Sequence, residues 1–211
     1  MNSPHHEGLA PRQPVTIVRL ENLDEAVALS TALADAGVRA VEFTLTNHRA
    51  LAAVEQVRES LGDSMLVGAG TVLDAESARA AILAGAQFLV TPVLRLDVIE
   101  CGRRYGVPVM CGAFTPTEIQ AAWEHGAEFV KVFPARSLGP AYIRDVLAPL
   151  PGMRLVPTGG VGLDNCAAYL DAGAYTVAAG SSILDEGAIS RGDWAGVANL
   201  ARRFVEACAV T

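Results

Sequence analysis

The chain reads as an α/β protein folded into a single (β/α)8 (TIM) barrel, and three observations predict this. Eight short apolar runs alternate with helix-length amphipathic stretches, with no linker composition between them. Most of these runs lack polar alternation, as strands buried on both faces of a parallel sheet do. A Gly repeatedly closes a helix segment just before the next run, in Ala36-Gly37-Val38, Ala84-Gly85-Ala86, His125-Gly126-Ala127 and Ala172-Gly173-Ala174. A doubly wound open sheet also alternates strands and helices, but eight regular units with short connections favour closure into a barrel. A length of 211 residues suits one such domain.

Taken in order, residues 1–13 are expected to form a flexible tail and 14–211 the barrel. The start of the tail, Met1 to Gly8, lacks the basic flank and apolar core of a signal peptide. His5 and His6 in it read as terminal bystanders, not metal ligands. The first strand is expected over Val15–Leu20, followed by a helix opened by Asn22-Leu23-Asp24-Glu25. The second spans Ala40–Thr44, with His48 opening its helix, and the third spans Met65–Gly68, with Asp74-Ala75-Glu76 as the start signal. Phe88–Thr91 and Val107–Met110 are the fourth and fifth. In the fifth helix Thr115 is the expected N-cap, Pro116 takes the first helical position and Glu118 completes a capping box. Phe129–Phe133, Arg154–Pro157 and Thr176–Ala179 finish the set, making eight strands and eight helices. His125 falls at a helix end, where an imidazolium meets the dipole favourably. Trp123 and Trp194 read as packing residues in helices.

Composition excludes several functions. With 51% apolar and 18% charged residues the chain builds a globular core, and its net charge of -7 argues against nucleic acid or an anionic membrane as partner. No apolar run approaches the ~18 residues of a membrane span. The four cysteines show no C-x-x-C pair, which argues against a zinc site or disulfide framework and fits a reducing cytoplasm. An anionic substrate would need a local positive site made from backbone N–H groups and a few Arg.

Chemistry is expected at the C-terminal ends of the strands. Of 16 basic residues only one is lysine, Lys131, and it lies inside an apolar strand. A buried ammonium costs several kcal/mol unless paired, and loss of solvation lowers a lysine's pKa, which yields an amine able to attack a carbonyl. The plainer reading is a strand lysine that faces out or pairs with a carboxylate. Glu42 is an acid inside the second strand; it is either an ion-pair partner or a general acid/base facing the same lumen. Gly68-Ala69-Gly70-Thr71 follows the third strand, where small residues admit a ligand close to the backbone. Pro157-Thr158-Gly159-Gly160 and Ala179-Gly180-Ser181-Ser182 follow the seventh and eighth strands, the positions at which barrels commonly bind phosphate. Both could also be ordinary turns.

Together these segments resemble a known family. Glu42-Phe43-Thr44, Gly68-Ala69-Gly70-Thr71-Val72, Val90-Thr91-Pro92, Phe129 to Pro134, Pro157 to Val161 and Gly180-Ser181 look like the class I 2-keto-3-deoxy-6-phosphogluconate (KDPG) / 4-hydroxy-2-oxoglutarate (KHG) aldolases. The resemblance runs in order from about Val15 to Ser182. It implies a cytoplasmic homotrimer without metal or cofactor, acting on a phosphorylated keto acid. It implies Lys131 as the Schiff-base lysine and Glu42 as the acid/base. Thr71, Pro92 and Phe133 would line the pyruvyl pocket, while Gly159, Gly160, Gly180 and Ser181 hold the phosphate. Thr158 falls where gluconate-specific members carry Thr and galactonate-specific ones an apolar residue. Some members carry an Arg as carboxylate partner where this chain has Thr46, which leaves that charge to Arg19 or Arg49. A related pyruvate lyase for a galactonate-derived or unphosphorylated acid, a phosphate-binding isomerase or synthase, and a non-catalytic keto-acid-binding barrel remain alternatives.

Overall fold

The computed structural model describes residues 9–209. Eight parallel strands form one sheet: β1 Val15–Val18, β2 Ala40–Thr44, β3 Leu66–Gly70, β4 Phe88–Val90, β5 Val109–Ala113, β6 Phe129–Val132, β7 Leu155–Pro157 and β8 Ala178–Ala179. Each strand from β1 to β6 pairs with the next, β8 pairs with β1, and a Thr158–Ala178 bridge joins the last gap, between β7 and β8. The sheet is a closed barrel.

Helices α1 Ala26–Asp35, α2 Ala50–Leu61, α3 Ala75–Leu83, α4 Leu96–Tyr105, α5 Pro116–Glu124, α6 Gly139–Leu147 and α7 Cys166–Asp171 connect the strands. After β8 come a short α8, Glu186–Ser190, and a long α9, Trp194–Ala209. The last unit therefore carries two helices where the sequence suggested one: Asp185 caps α8 through the Gly187 and Ala188 N–H groups, and Gly192 at φ 68° separates it from α9. Val197, Ala201, Phe204 and Cys208 recur at helical spacing on the buried face of α9, and α9 packs on α1.

The expected start and stop signals largely hold. Gly37, Gly85, Gly126 and Gly173 all follow helix ends with φ between 93° and 102°. Asp74 accepts from the Ser77 N–H at 2.6 Å, and the reciprocal capping box between Thr115 and Glu118 is complete. The second helix begins later than His48, at Ala50, because Asn47 Oδ1 accepts from the Arg49 N–H and holds residues 47–49 in a turn.

Strand ends shift for identifiable reasons. β1 stops at Val18, before Arg19 and Leu20 turn into the mouth of the barrel. β5 begins after Pro108, which has no N–H to donate, and runs on through Gly112 to Ala113. β3 continues to Gly70, so Gly68-Ala69-Gly70 is strand and not loop. The described part of the expected tail is held against the barrel floor. Tyr175 Oη donates to the Leu9 carbonyl at 2.8 Å, and Thr176 Oγ1 to the Gln13 carbonyl at 2.6 Å. His5, His6 and the rest of residues 1–8 lie outside the described residues.

Strand alternation divides the side chains. Val41, Phe43, Val130 and Val132 point outward into the apolar layer under the helices. Ala40, Phe88, Val90, Met110, Phe129, Val156 and Ala178 fill the lumen floor. Two residues beyond Ala40, Phe129 and Val156 stand Glu42 in β2, Lys131 in β6 and Thr158 just after β7, which places them one layer above that floor. The floor keeps water out from below.

Candidate active site

A cavity of about 820 Å³ opens at the C-terminal ends of the strands. All the residues expected there line it: Lys131, Glu42, Arg19, Thr46, Thr71, Pro92, Phe133, Thr158, Gly159, Gly160, Gly180 and Ser181. Arg49, the other candidate carboxylate partner, does not. It pairs with Asp24 at the surface.

Lys131 and Glu42 meet in the lumen, with 6% and 1% of their surfaces exposed. Lys131 Nζ stands 4.0 Å from Glu42 Oε1, beyond a hydrogen bond but well inside strong electrostatic reach. Neither Glu42 oxygen has a hydrogen-bond partner among the described residues. Burial pushes the Glu42 carboxyl above its ordinary range, and the Lys131 charge offsets only part of that rise. A carboxyl without structural partners, beside an amine and open to a cavity, has its proton available for exchange with a ligand.

The surrounding glycines make room for this pair. A Cβ on Gly70 would stand 2.8 Å from the Glu42 carboxyl carbon, so any side chain there would displace the acid. Lys131 pairs in register with Gly112 on one side and Val156 on the other, and its ammonium lies 5.2 Å from the Phe133 ring centroid. On the far wall Thr71 adopts φ 57°. That conformation costs a β-branched residue about 1–3 kcal/mol, and such strain gathers at ligand sites. Thr46 Oγ1 lies 2.9 Å from Thr44 Oγ1, a hydroxyl pair in place of a cation. Thr158, 2% exposed, donates its hydroxyl to the Val156 carbonyl at 3.1 Å, which leaves its oxygen free to accept a hydrogen bond.

At the other end, Gly159 and Gly160 have φ 86° and 83° and lie beside the turn that follows β6. That turn supplies a lining residue absent from the sequence expectations, Arg136; Glu186 at the start of α8 is another, while Ser182, within the expected loop after β8, lines the cavity too. Arg136 was legible in principle, because it sits just past the end of the lysine-bearing strand. Glu186 was not, since α8 itself was not foreseen. Among the described residues there is no group of three or more His, Cys, Asp or Glu side chains placed to hold a metal ion.

Comparison with known proteins gives a consistent result. Residues 8–200 match the family model described as KDPG and KHG aldolase. The chain is 36% identical over 201 residues to a 2-dehydro-3-deoxy-phosphogluconate aldolase of Treponema pallidum, covering 95% of each chain. It is 37% identical over 174 residues to the 2-dehydro-3-deoxy-6-phosphogalactonate aldolase of Escherichia coli, covering 82% of this chain and 85% of that one. Among solved structures it superposes at a TM-score of 0.85 and 27% identity on a Legionella pneumophila KDPG aldolase holding pyruvate as a covalent carbinolamine, covering 92% of this chain and 94% of that one.

Proposed function

The chain belongs to the KDPG and KHG aldolase family, and from that premise we propose that it is a Schiff-base aldolase that reversibly cleaves 2-keto-3-deoxy-6-phosphogluconate to pyruvate and glyceraldehyde 3-phosphate. The observation that carries this reading is the buried Lys131–Glu42 pair, 4.0 Å apart, with both carboxyl oxygens unpartnered among the described residues.

The Lys131 amine attacks the C2 ketone of the substrate and forms a carbinolamine. Glu42, whose raised pKa favours the protonated acid, gives its proton to the departing hydroxyl; water leaves and a protonated imine remains. The Glu42 carboxylate then takes the proton of the C4 hydroxyl. The C3–C4 bond breaks, its electron pair enters the iminium to form an enamine, and glyceraldehyde 3-phosphate departs. Glu42 returns the proton to C3, and water hydrolyses the imine to free pyruvate and Lys131. Arg19, at the top of β1 and lining the cavity, receives the pyruvyl carboxylate with help from Thr71. The amides of Gly159, Gly160, Gly180 and Ser181 receive the phosphate.

The C4-epimeric galactonate-derived acid is the second reading, since the relatives named for either substrate are about equally similar. Thr158, at the position where gluconate-specific members of the family carry Thr, favours the gluconate epimer, and its oxygen is free to accept a hydrogen bond from a substrate hydroxyl. The ratio of kcat/KM for the two epimers decides between them.

Leu73, Val93, Leu96 and Phe114, 38–53% exposed, follow β3, β4 and β5 on one rim, and this apolar patch supports assembly as a homotrimer. Four free cysteines support a cytoplasmic location. Among the described residues no helix is long and apolar enough to cross a membrane.

Borohydride in the presence of pyruvate tests the chemistry. It should inactivate the enzyme and add the reduced pyruvyl group to the peptide containing Lys131, the only side-chain amine in the sequence. Lys131→Arg should be inert, because a guanidinium stays protonated. Modification of the N-terminal amine alone would remove Lys131 from the mechanism.

A further inference from the structure

The turn after β6, Ala135–Ser137, is zipped onto the loop after β7. Ala135 N–H donates to the Thr158 carbonyl at 2.7 Å and Arg136 N–H to the Gly159 carbonyl at 2.9 Å. These two bonds lay the Arg136 side chain across Gly160. A Cβ built on Gly160 would stand 2.5 Å from Arg136 Cβ and 3.1 Å from Arg136 Nε. Only glycine lets the loop and the arginine stem come this close. The arginine stem and its Nε therefore lie against Gly160, and both residues line the cavity.

Arg136 is exposed and forms no ion pair among the described residues. That distinguishes it from Arg49, Arg95, Arg104 and Arg154, each of which is paired with a carboxylate. The protein around it is acidic, with net charge -7, and Glu186 adds a carboxylate to the cavity wall. Neutral backbone amides alone would bind a phosphate dianion there against an unfavourable background field. A planar guanidinium with several N–H donors matches phosphate geometry and supplies the missing charge.

We infer that Arg136 is a specificity-determining residue, whose guanidinium clamps the substrate's phosphate onto the Gly159–Gly160 loop and makes the enzyme select phosphorylated keto acids. This rests on the reading of the substrate as phosphorylated. Its reach is confined to the phosphate end: Lys131 and Glu42 stand in the lumen layer below, so capture of pyruvate does not depend on it.

The test compares wild type with Arg136→Gln and Arg136→Lys, using KDPG, its dephosphorylated counterpart and inorganic phosphate as a competing ligand. Loss of a charge-assisted contact corresponds to a change on the order of 10- to 100-fold. Arg136→Gln should raise KM for KDPG by about that factor with little change in kcat, and weaken inhibition by inorganic phosphate in parallel. Arg136→Lys should fall between. Cleavage of the dephosphorylated acid, pyruvate trapping at Lys131 and the melting temperature should stay at wild-type values. If the variant loses activity equally on both substrates, or keeps the wild-type preference for KDPG, Arg136 is not the phosphate clamp, although the substrate reading survives. If wild type itself cleaves both acids equally well, the phosphorylated-substrate reading fails and takes the inference with it.

Discussion

Glu42 is the residue in which stability and chemistry oppose each other most directly. Its carboxyl is fully buried, without hydrogen-bond partners among the described residues, and its pKa is raised chiefly by burial. A carboxyl that holds its proton more tightly when folded stabilises the native state fully below its unfolded value of 4.5, and that contribution is lost as pH rises through the raised folded value. Glutamine is neutral throughout, so Glu42→Gln removes this slope. The melting temperature of the variant, relative to wild type, should climb as pH goes from about 4 to about 7. A flat difference would contradict the raised pKa. In the same variant kcat should fall by about 10²–10⁴-fold while pyruvate still binds. Near-wild-type turnover would take Glu42 out of the proton transfers.

At the scale of elements, the strands set the site and the helix caps keep the strands in place. Lys131, Glu42 and Thr158 reach the lumen because each is two residues along the extended chain from a floor residue, Phe129, Ala40 and Val156. The capping box at Thr115 fixes the start of α5 just beyond β5, the strand that pairs with the lysine strand. Glu118 also accepts from the Phe114 N–H at 2.8 Å, so the cap ties down the loop between them. Thr115→Ala should cost about 1 kcal/mol of stability in urea titration. Because the cap lies outside the cavity lining, KM and kcat should change little. A large drop in kcat without loss of stability would mean that the α5 start takes part in the site.

For the whole molecule, the apolar rim after β3, β4 and β5 matters most. Val93 is 53% exposed and Phe114 38%, and both stand on short loops at the C-terminal end of the barrel. Such a patch marks an association surface, and the proposed homotrimer would cover it. A charge placed in a buried contact costs several kcal/mol, so Val93→Asp with Phe114→Asp should shift the sedimentation coefficient from trimer to monomer. Circular dichroism should remain that of a folded barrel. A wild type that sediments as a monomer at micromolar concentration would remove the trimer.

Much of this protein was decided by local patterning. The apolar runs marked all eight strands, the recurrent glycines marked helix ends, and the solitary Lys131 with Glu42 in an apolar strand pointed to the cavity. Each of these signals comes from a few neighbouring residues, since a strand's burial, a helix stop or a misplaced charge is visible in its own segment. The extension of β3 to Gly70 and of β5 to Ala113 was not visible, because a glycine reads as a loop until its close neighbour is known. For Gly70 that neighbour is the Glu42 carboxyl, 28 residues away in the chain. Which of Arg19 and Arg49 faces the cavity was likewise tertiary: both are arginines near strand ends, but Arg49 pairs with Asp24 whereas Arg19 lines the cavity. Arg136 over Gly160 is the same kind of fact. Its place depends on two backbone hydrogen bonds between loops that follow different strands, and the pairing of β6 with β7 is what brings those loops together.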